Sequence, residues 1–260
     1  MSHSLQDQNV TRQIDLGVGC ADSRLRRRLP PLKAHALWAE TYDSDPNPLL
    51  DLEERELIPL LPNLEGAFVL DVACGTGRWL NRLLGRGVRK GVGIDLSPEM
   101  LAQARRKEQL RDRLVCADCT AMPIAAGIAD LVLCSFAISY VARLERFASE
   151  LSRVVKMGGR MILTDFHPSC HRRGWRRTFR HAGGVVEILD FQYSIEEICA
   201  AFQANGFALE RILSPSFGEA ERAIFRKCGK EHVFEQAREG PAIVIGAFRL
   251  GNSRHLGKGP

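Results

Sequence analysis

Three acids each close an apolar run of the chain, and the first of them opens a glycine loop. FVLDVACGTGRWL (68–80) passes from β-type residues through Asp71 to Ala73, Cys74, Gly75 and Gly77. Glycines at the end of a strand let a ligand come close to the backbone. A dinucleotide fingerprint G-x-G-x-x-G started at Gly75 needs its third glycine at position 80, where Leu80 stands. Asp71, beside the loop, would repel a pyrophosphate and attract an ammonium. Asp95 closes GVGIDL (91–96), 18 residues after Gly77, where a carboxylate accepts ribose hydroxyls. Asp118 closes RLVCAD (113–118), where it suits an adenine amino group.

A second set of reactive residues lies in TDFHPSCHRRGWRRTFRH (164–181). His167 titrates near neutral pH and is the first candidate for a general base toward a phenol, an enol or a similar acceptor. The alternative reading is a histidine hydrogen-bonded in the turn before Pro168. Arg172, Arg173, Arg176 and Arg177 suit a carboxylate or phosphate on a substrate, or else form a solvated basic surface. Trp175 reads either as an aromatic wall for a planar substrate or as the anchor of its segment. His167, Cys170 and His171 lack a fourth ligand, and Cys116 and Cys119 lack a second CxxC or a His pair, so no metal site is assigned.

The elements that must hold these residues follow from an alternation of short apolar runs and helical stretches. FVLDV (68–72), GVGIDL, RLVCAD, ADLVLCSF (129–136) and GRMILTDF (159–166) read as strands of a parallel sheet covered on both faces. Ser97 followed by Pro98 starts one intervening helix; Leu144, Phe147, Leu151 and Val154 mark another, with Gly158 and Gly159 as its stop. KAHALWAETYDSDPNP gives a short helix, and 49–61 a second that runs up to Pro62. Beyond 166 come a helix carrying Ile195, Ile198, Cys199 and Phe202, a strand over 207–217, helices over 219–238 and a last strand over 241–250.

With 260 residues, 45% of them hydrophobic, one α/β domain over 34–250 is expected. A flexible basic tail (1–33, with RLRRR at 24–28) precedes it and a short tail (251–260) follows. No apolar run approaches the roughly 18 residues of a membrane span, and the polar start lacks a secretory core. The eight cysteines are scattered, four of them in or beside expected buried strands, and read as free thiols. The expected location is cytoplasmic.

S-adenosylmethionine carries the ammonium that Asp71 invites, a sulfonium, and no phosphate. VLDVACGTG, GIDLSPEML, ADCTAMP, ADLVLCSFAISYV and ELSRVVKMGGRMILTD, in that order over roughly 37–166, resemble the class I S-adenosylmethionine-dependent methyltransferases. Within these they resemble the small-molecule branch related to ubiquinone and menaquinone biosynthesis. The resemblance implies a Rossmann-like, seven-stranded, mostly parallel sheet with an antiparallel last strand at the edge beside 207–217. It implies helices on both faces and helical lid insertions at 167–193 and 218–240, the N-terminal helices also contributing to the lid.

It further implies that Asp71, Ala73, Gly75 and Gly77 cradle the methionine part, with Cys74 between them. Asp95 and Leu96 would hold the ribose, and Asp118 and Cys119 would flank the adenine. Met100 would pack near the base, Ser135 would lie under the cofactor, and Tyr42 would close over it. The function so implied is methyl transfer by in-line displacement to a small acidic or aromatic acceptor, leaving S-adenosylhomocysteine, with His167 as base and Arg172, Arg173 and Trp175 on the acceptor. An RNA or protein methyltransferase and a non-catalytic cofactor-binding regulator are the alternatives. Against the nucleic-acid reading, LVLCSFAIS lacks the Asn/Asp-Pro-Pro-aromatic element of base amino-group methylation.

Overall fold

The computed structural model of the chain describes residues 26–88 and 90–251. In chain order the elements are β1 (Arg26–Leu29), α1 (Pro31–Trp38), α2 (Pro48–Leu57), β2 (Phe68–Val72), α3 (Arg78–Leu84), β3 (Lys90–Asp95), α4 (Pro98–Ala104), β4 (Leu114–Cys116), β5 (Ala129–Ser135) and α5 (Leu144–Val154). They continue with β6 (Val155–Phe166), α6 (Ser169–Arg172), β7 (Thr178–His181), β8 (Gly184–Ile188), α7 (Ile195–Ala204), β9 (Phe207–Leu213), α8 (Glu219–Lys227), α9 (Phe234–Arg238) and β10 (Ile243–Leu250).

Seven of the strands form one sheet in the order β4-β3-β2-β5-β6-β10-β9. β2 to β6 pair parallel, and β10 pairs antiparallel with both β6 and β9. The period of two is visible in β5: Leu131 and Leu133 enter the core on one face, Val132 and Cys134 the core on the other. Such a strand must be apolar throughout because no face of it meets water. α5 turns Leu144, Phe147, Ala148, Leu151 and Val154 onto the second core, where Phe147 meets Phe202 of α7 edge-on at 6.2 Å.

Three expectations are corrected here. The last strand is not at the sheet edge. Nearly all of β10 is buried, which requires a partner on each side, while β9 exposes Ala208 to Arg211 and forms the edge. Gly158 and Gly159 do not end α5, since Val155 is already extended; Gly158 takes φ 78° within an irregular start of β6. The insertion at 167–193 holds one short helix and the hairpin β7–β8 in place of a helical lid.

That hairpin turns on Ala182 and Gly183, whose φ of 49° and 77° are those of a two-residue turn matched to the strand twist. β1 then adds to β8 in parallel, giving a small sheet in the order β1-β8-β7. Glu187 on β8 pairs with Arg26 and Arg28 on β1. The expected tail over 1–33 is therefore wrong for 26–33, which form β1 and the start of α1; its remainder, 1–25, lies outside the described residues, as does 252–260 of the C-terminal tail. A separate small core joins this sheet to α1: Ala34, Trp38, Phe179, Val186 and Ile188, with Trp38 and Phe179 stacked at 4.8 Å.

The insertion at 218–240 is helical but does not cover the site. Phe225 and Phe234 belong to the core that contains Leu52 and Ile243, and Glu221 is held by Arg55 of α2.

Candidate active site

The loop between β2 and α3 is wound through left-handed conformations at Ala73, Gly75 and Gly77, with φ of 55°, 55° and 73°. Gly77 is the N-cap of α3 and has no side chain to accept the orphan N–H groups of the first turn. Asp71 takes that role from the strand below, its Oδ2 accepting the Leu80 N–H at 2.8 Å. Its carboxyl is buried, and burial pushes its pKa up to about 7, the Leu80 bond opposing. A Cβ on Gly77 would stand 2.5 Å from Leu110 Cδ1, so packing as well as conformation selects glycine there.

Above the loop lies a cavity of about 560 Å³. Tyr42, Ala73, Gly75 and Ser135 line one part of it, and Asp95, Leu96, Met100, Asp118 and Cys119 the other. Asp71, Cys74 and Gly77, expected at the ligand, lie in and beneath the loop and are not among the residues lining the cavity. Asp71 points beneath the loop to α3, the Cys74 sulfur packs toward Gly93 in the sheet, and Gly77 packs on Leu110.

Asp95 joins the two loops that frame the cavity: its Oδ2 accepts the Gly75 N–H at 2.7 Å and its Oδ1 the Ser97 N–H at 2.8 Å. Burial raises its pKa, and these backbone bonds oppose the rise. The carboxylate keeps acceptor capacity beyond these backbone bonds for a hydroxyl of a ligand. Asp118 spends Oδ1 on the N–H and hydroxyl of Thr120, at 2.7 and 2.8 Å. Ser97 accepts the Met100 N–H, which starts α4 and fixes Met100 against the cavity.

Ser135, at the end of β5, donates at 2.7 Å to Glu53 of α2. Glu53 is fully buried and also accepts from Trp79 at 2.9 Å and from Thr164 and Arg78. One ion pair and three neutral donors thus satisfy a carboxylate inside the protein, as burial of a charge requires. Sequence reasoning missed Glu53 because DLEEREL reads as a surface helix.

A second, smaller recess of about 60 Å³ adjoins the first, and His35, Tyr42, Phe136 and Tyr140 line both. Trp38, Phe166, Arg176 and Arg177 also line it, with Asn47, Leu49, Leu50 and Thr178. Phe136 sits at φ 51°, an uncommon conformation for a bulky residue, held by its N–H bond to the Thr164 carbonyl at 2.9 Å. Arg177 is buried against Asp165 and Asp190 and donates to the Tyr140 hydroxyl at 3.4 Å, so its charge positions the wall.

The residues expected on the acceptor lie elsewhere. After Phe166 the chain folds onto the start of β10: the His167 N–H reaches the Ala242 carbonyl at 3.1 Å, and the Cys170 thiol reaches the same oxygen at 3.3 Å. His167 Nδ1 accepts the Ser169 N–H at 3.2 Å and contacts its hydroxyl at 2.7 Å, and it lines neither cavity. It is the turn histidine of the alternative reading. Trp175 is 2% exposed between Phe166 and Phe217, Arg173 stacks on it at 4.2 Å, and Arg172 is exposed. Trp175 is thus the anchor of its segment.

The donor set fits S-adenosylmethionine. Asp95 and Asp118 offer acceptor carboxylates suited to hydroxyl and amino groups of a ligand, and the left-handed backbone at Ala73 and Gly75 admits a close approach. The cavity volume is that of a small-molecule site. Fold and site together define an S-adenosylmethionine-binding methyltransferase domain.

A family model described as a methyltransferase domain matches residues 70–163. The fold is shared with the S-adenosylmethionine-dependent methyltransferase from Mesorhizobium loti (TM-score 0.60, 22% identity, 76% of this chain and 97% of that one). Among curated proteins, the demethylmenaquinone methyltransferase of Thermus thermophilus is 38% identical over 45% of this chain and 59% of its own length. The malonyl-[acyl-carrier protein] O-methyltransferase of Legionella pneumophila is 38% identical over 47% and 46%. The chain spans between 34% and 63% of the length of the curated relatives it matches. Residues 70–163 thus carry a methyltransferase domain, on a fold shared with S-adenosylmethionine-dependent methyltransferases.

Proposed function

We propose that the chain methylates a small planar or apolar acceptor held in the aromatic recess beside the cofactor cavity. The observation that carries this reading is the adjacency of the two spaces, which share His35, Tyr42, Phe136 and Tyr140 as lining. Bound in the larger cavity, S-adenosylmethionine supplies an electrophilic methyl group on sulfur. The protein supplies alignment and exclusion of water, which an in-line displacement chiefly needs.

Asp95 and Asp118 orient the adenosyl part, and the loop at Ala73 and Gly75 receives the amino-acid tail. Arg143 and Arg146 give the mouth of the larger cavity a positive edge suited to an acidic group on the acceptor. The relatives acting on a menaquinone precursor and a malonyl group support an acceptor that is planar or acidic. The seven unpaired cysteines among the described residues favour a reducing compartment, the cytoplasm.

The test is a panel of acceptors incubated with the purified protein and S-adenosylmethionine: phenols, quinols, enols, carboxylic acids and mixed RNA. Mass spectrometry reads the methylated product and S-adenosylhomocysteine. Turnover with phenols, quinols or enols is expected. Turnover with RNA alone would move the substrate to nucleic acid, and cofactor binding without turnover on any acceptor would favour the non-catalytic reading.

A further inference from the structure

His35, on the last turn of α1, faces both spaces. Its ring stands edge-on to Tyr140 at 5.0 Å and parallel to Trp38 at 6.3 Å, which fixes its plane. A neutral imidazole carries its hydrogen on one ring nitrogen and a lone pair on the other, and that lone pair can accept a proton.

The titratable groups facing the ring are the Tyr42 and Tyr140 phenols and the Arg176 and Arg177 guanidinium groups, with Asp95, Asp118, Arg143 and Arg146 elsewhere around the larger cavity. Burial pushes the His35 pKa down to about 4, the Pro31 bond opposing it and Arg177 adding to it. The imidazole is therefore neutral throughout the physiological range, and burial disfavours its protonation in the absence of a bound anion. An anion formed beside it would raise that pKa in the complex.

We propose that His35 is the catalytic proton acceptor for a methyl acceptor bearing an acidic O–H, of the phenol or enol class, seated in the aromatic recess; the proposal rests on the methyltransferase reading above. The acceptor's O–H bond breaks with its electron pair kept on oxygen, and the proton passes to the lone-pair nitrogen of His35. The new bond from oxygen, or from the conjugated carbon of an enol, to methyl forms as the carbon–sulfur bond breaks onto sulfur. The imidazolium then yields its proton to water.

The experiment titrates 4-nitrophenol, whose colour reports loss of its proton, into the protein saturated with S-adenosylhomocysteine, at a pH below the free phenol's own ionisation. The native protein is expected to bind it as the coloured phenolate. His35→Gln and His35→Asn, each likewise saturated with S-adenosylhomocysteine, should hold about tenfold less phenolate. Phenol that stays protonated in the native protein, equal ionisation in both variants, or no uptake of the phenol would overturn the proposal. Failure of all three proteins to bind S-adenosylhomocysteine would instead remove the methyltransferase reading on which it stands.

Discussion

Asp71 and Asp95 stand at the ends of adjacent strands and do different work. Asp95 reaches the cavity and ties two loops; Asp71 caps α3 from below and is kept out of the ligand space. A carboxyl whose pKa rises from 3.8 to about 7 on folding favours the folded state in acid. That contribution is complete below pH 4 and is lost as the pH rises to 7, at about 1.4 kcal/mol per pH unit. Asp71→Asn keeps an oxygen for the Leu80 N–H and removes the ionisation. Its stability relative to the native protein should therefore grow between pH 4 and 7 and level off above; a constant difference in denaturant melts across that range would refute the assignment. His167→Ala, which touches neither cavity, should leave turnover within about twofold, since surface substitutions away from a site cost little. A large loss of turnover would restore it as a base. The positions of Asp95 and Asp118 at strand ends were legible because each also bonds the turn that follows its strand, at Ser97 and Thr120. Glu53 was not: its partners Arg78, Ser135 and Thr164 stand 25, 82 and 111 residues away, and no spacing rule spans such distances.

At the level of elements, the small sheet β1-β8-β7 and α1 form a cover with its own core, and that cover brings His35, Trp38 and Tyr42 to the site. Trp38 is its centre, stacked on Phe179 and donating its indole N–H to Asp45 at 3.2 Å. Trp38→Ala should cost about 3–5 kcal/mol where it packs. Hydrogen exchange is the check: amides of 26–42 and 178–188 should lose protection while those of β2 and β5 keep theirs. Equal loss in the large sheet would show that the cover and the sheet unfold as one. The five parallel strands were legible because a doubly covered strand is a continuous apolar run. β1 was not, because RRRL has no apolar alternation and becomes a strand only through Val185 to Ile188. The hairpin did leave a signal, the Gly183–Gly184 pair between two β-type runs, which the surrounding Arg and His residues masked.

Over the whole molecule, the sheet places the carboxyl ends of β2, β3 and β5 along one edge, where parallel α/β sheets bind ligands. The insertions divide their work: 26–42 and 176–190 shape the smaller recess, while 218–240 thicken the core behind α2 and β10. Among the described residues no helix is long and apolar enough to cross a membrane. The central claim is that this edge holds S-adenosylmethionine through Asp95. It is tested most directly by calorimetric titration of the protein, freed of copurified ligand, with S-adenosylmethionine, S-adenosylhomocysteine and NAD, beside the Asp95→Ala variant. Binding of the two adenosyl compounds without NAD is predicted, weakened in the variant by about 10–100-fold as charge-assisted hydrogen bonds are lost. Binding of NAD, or equal affinity in the variant, would contradict it.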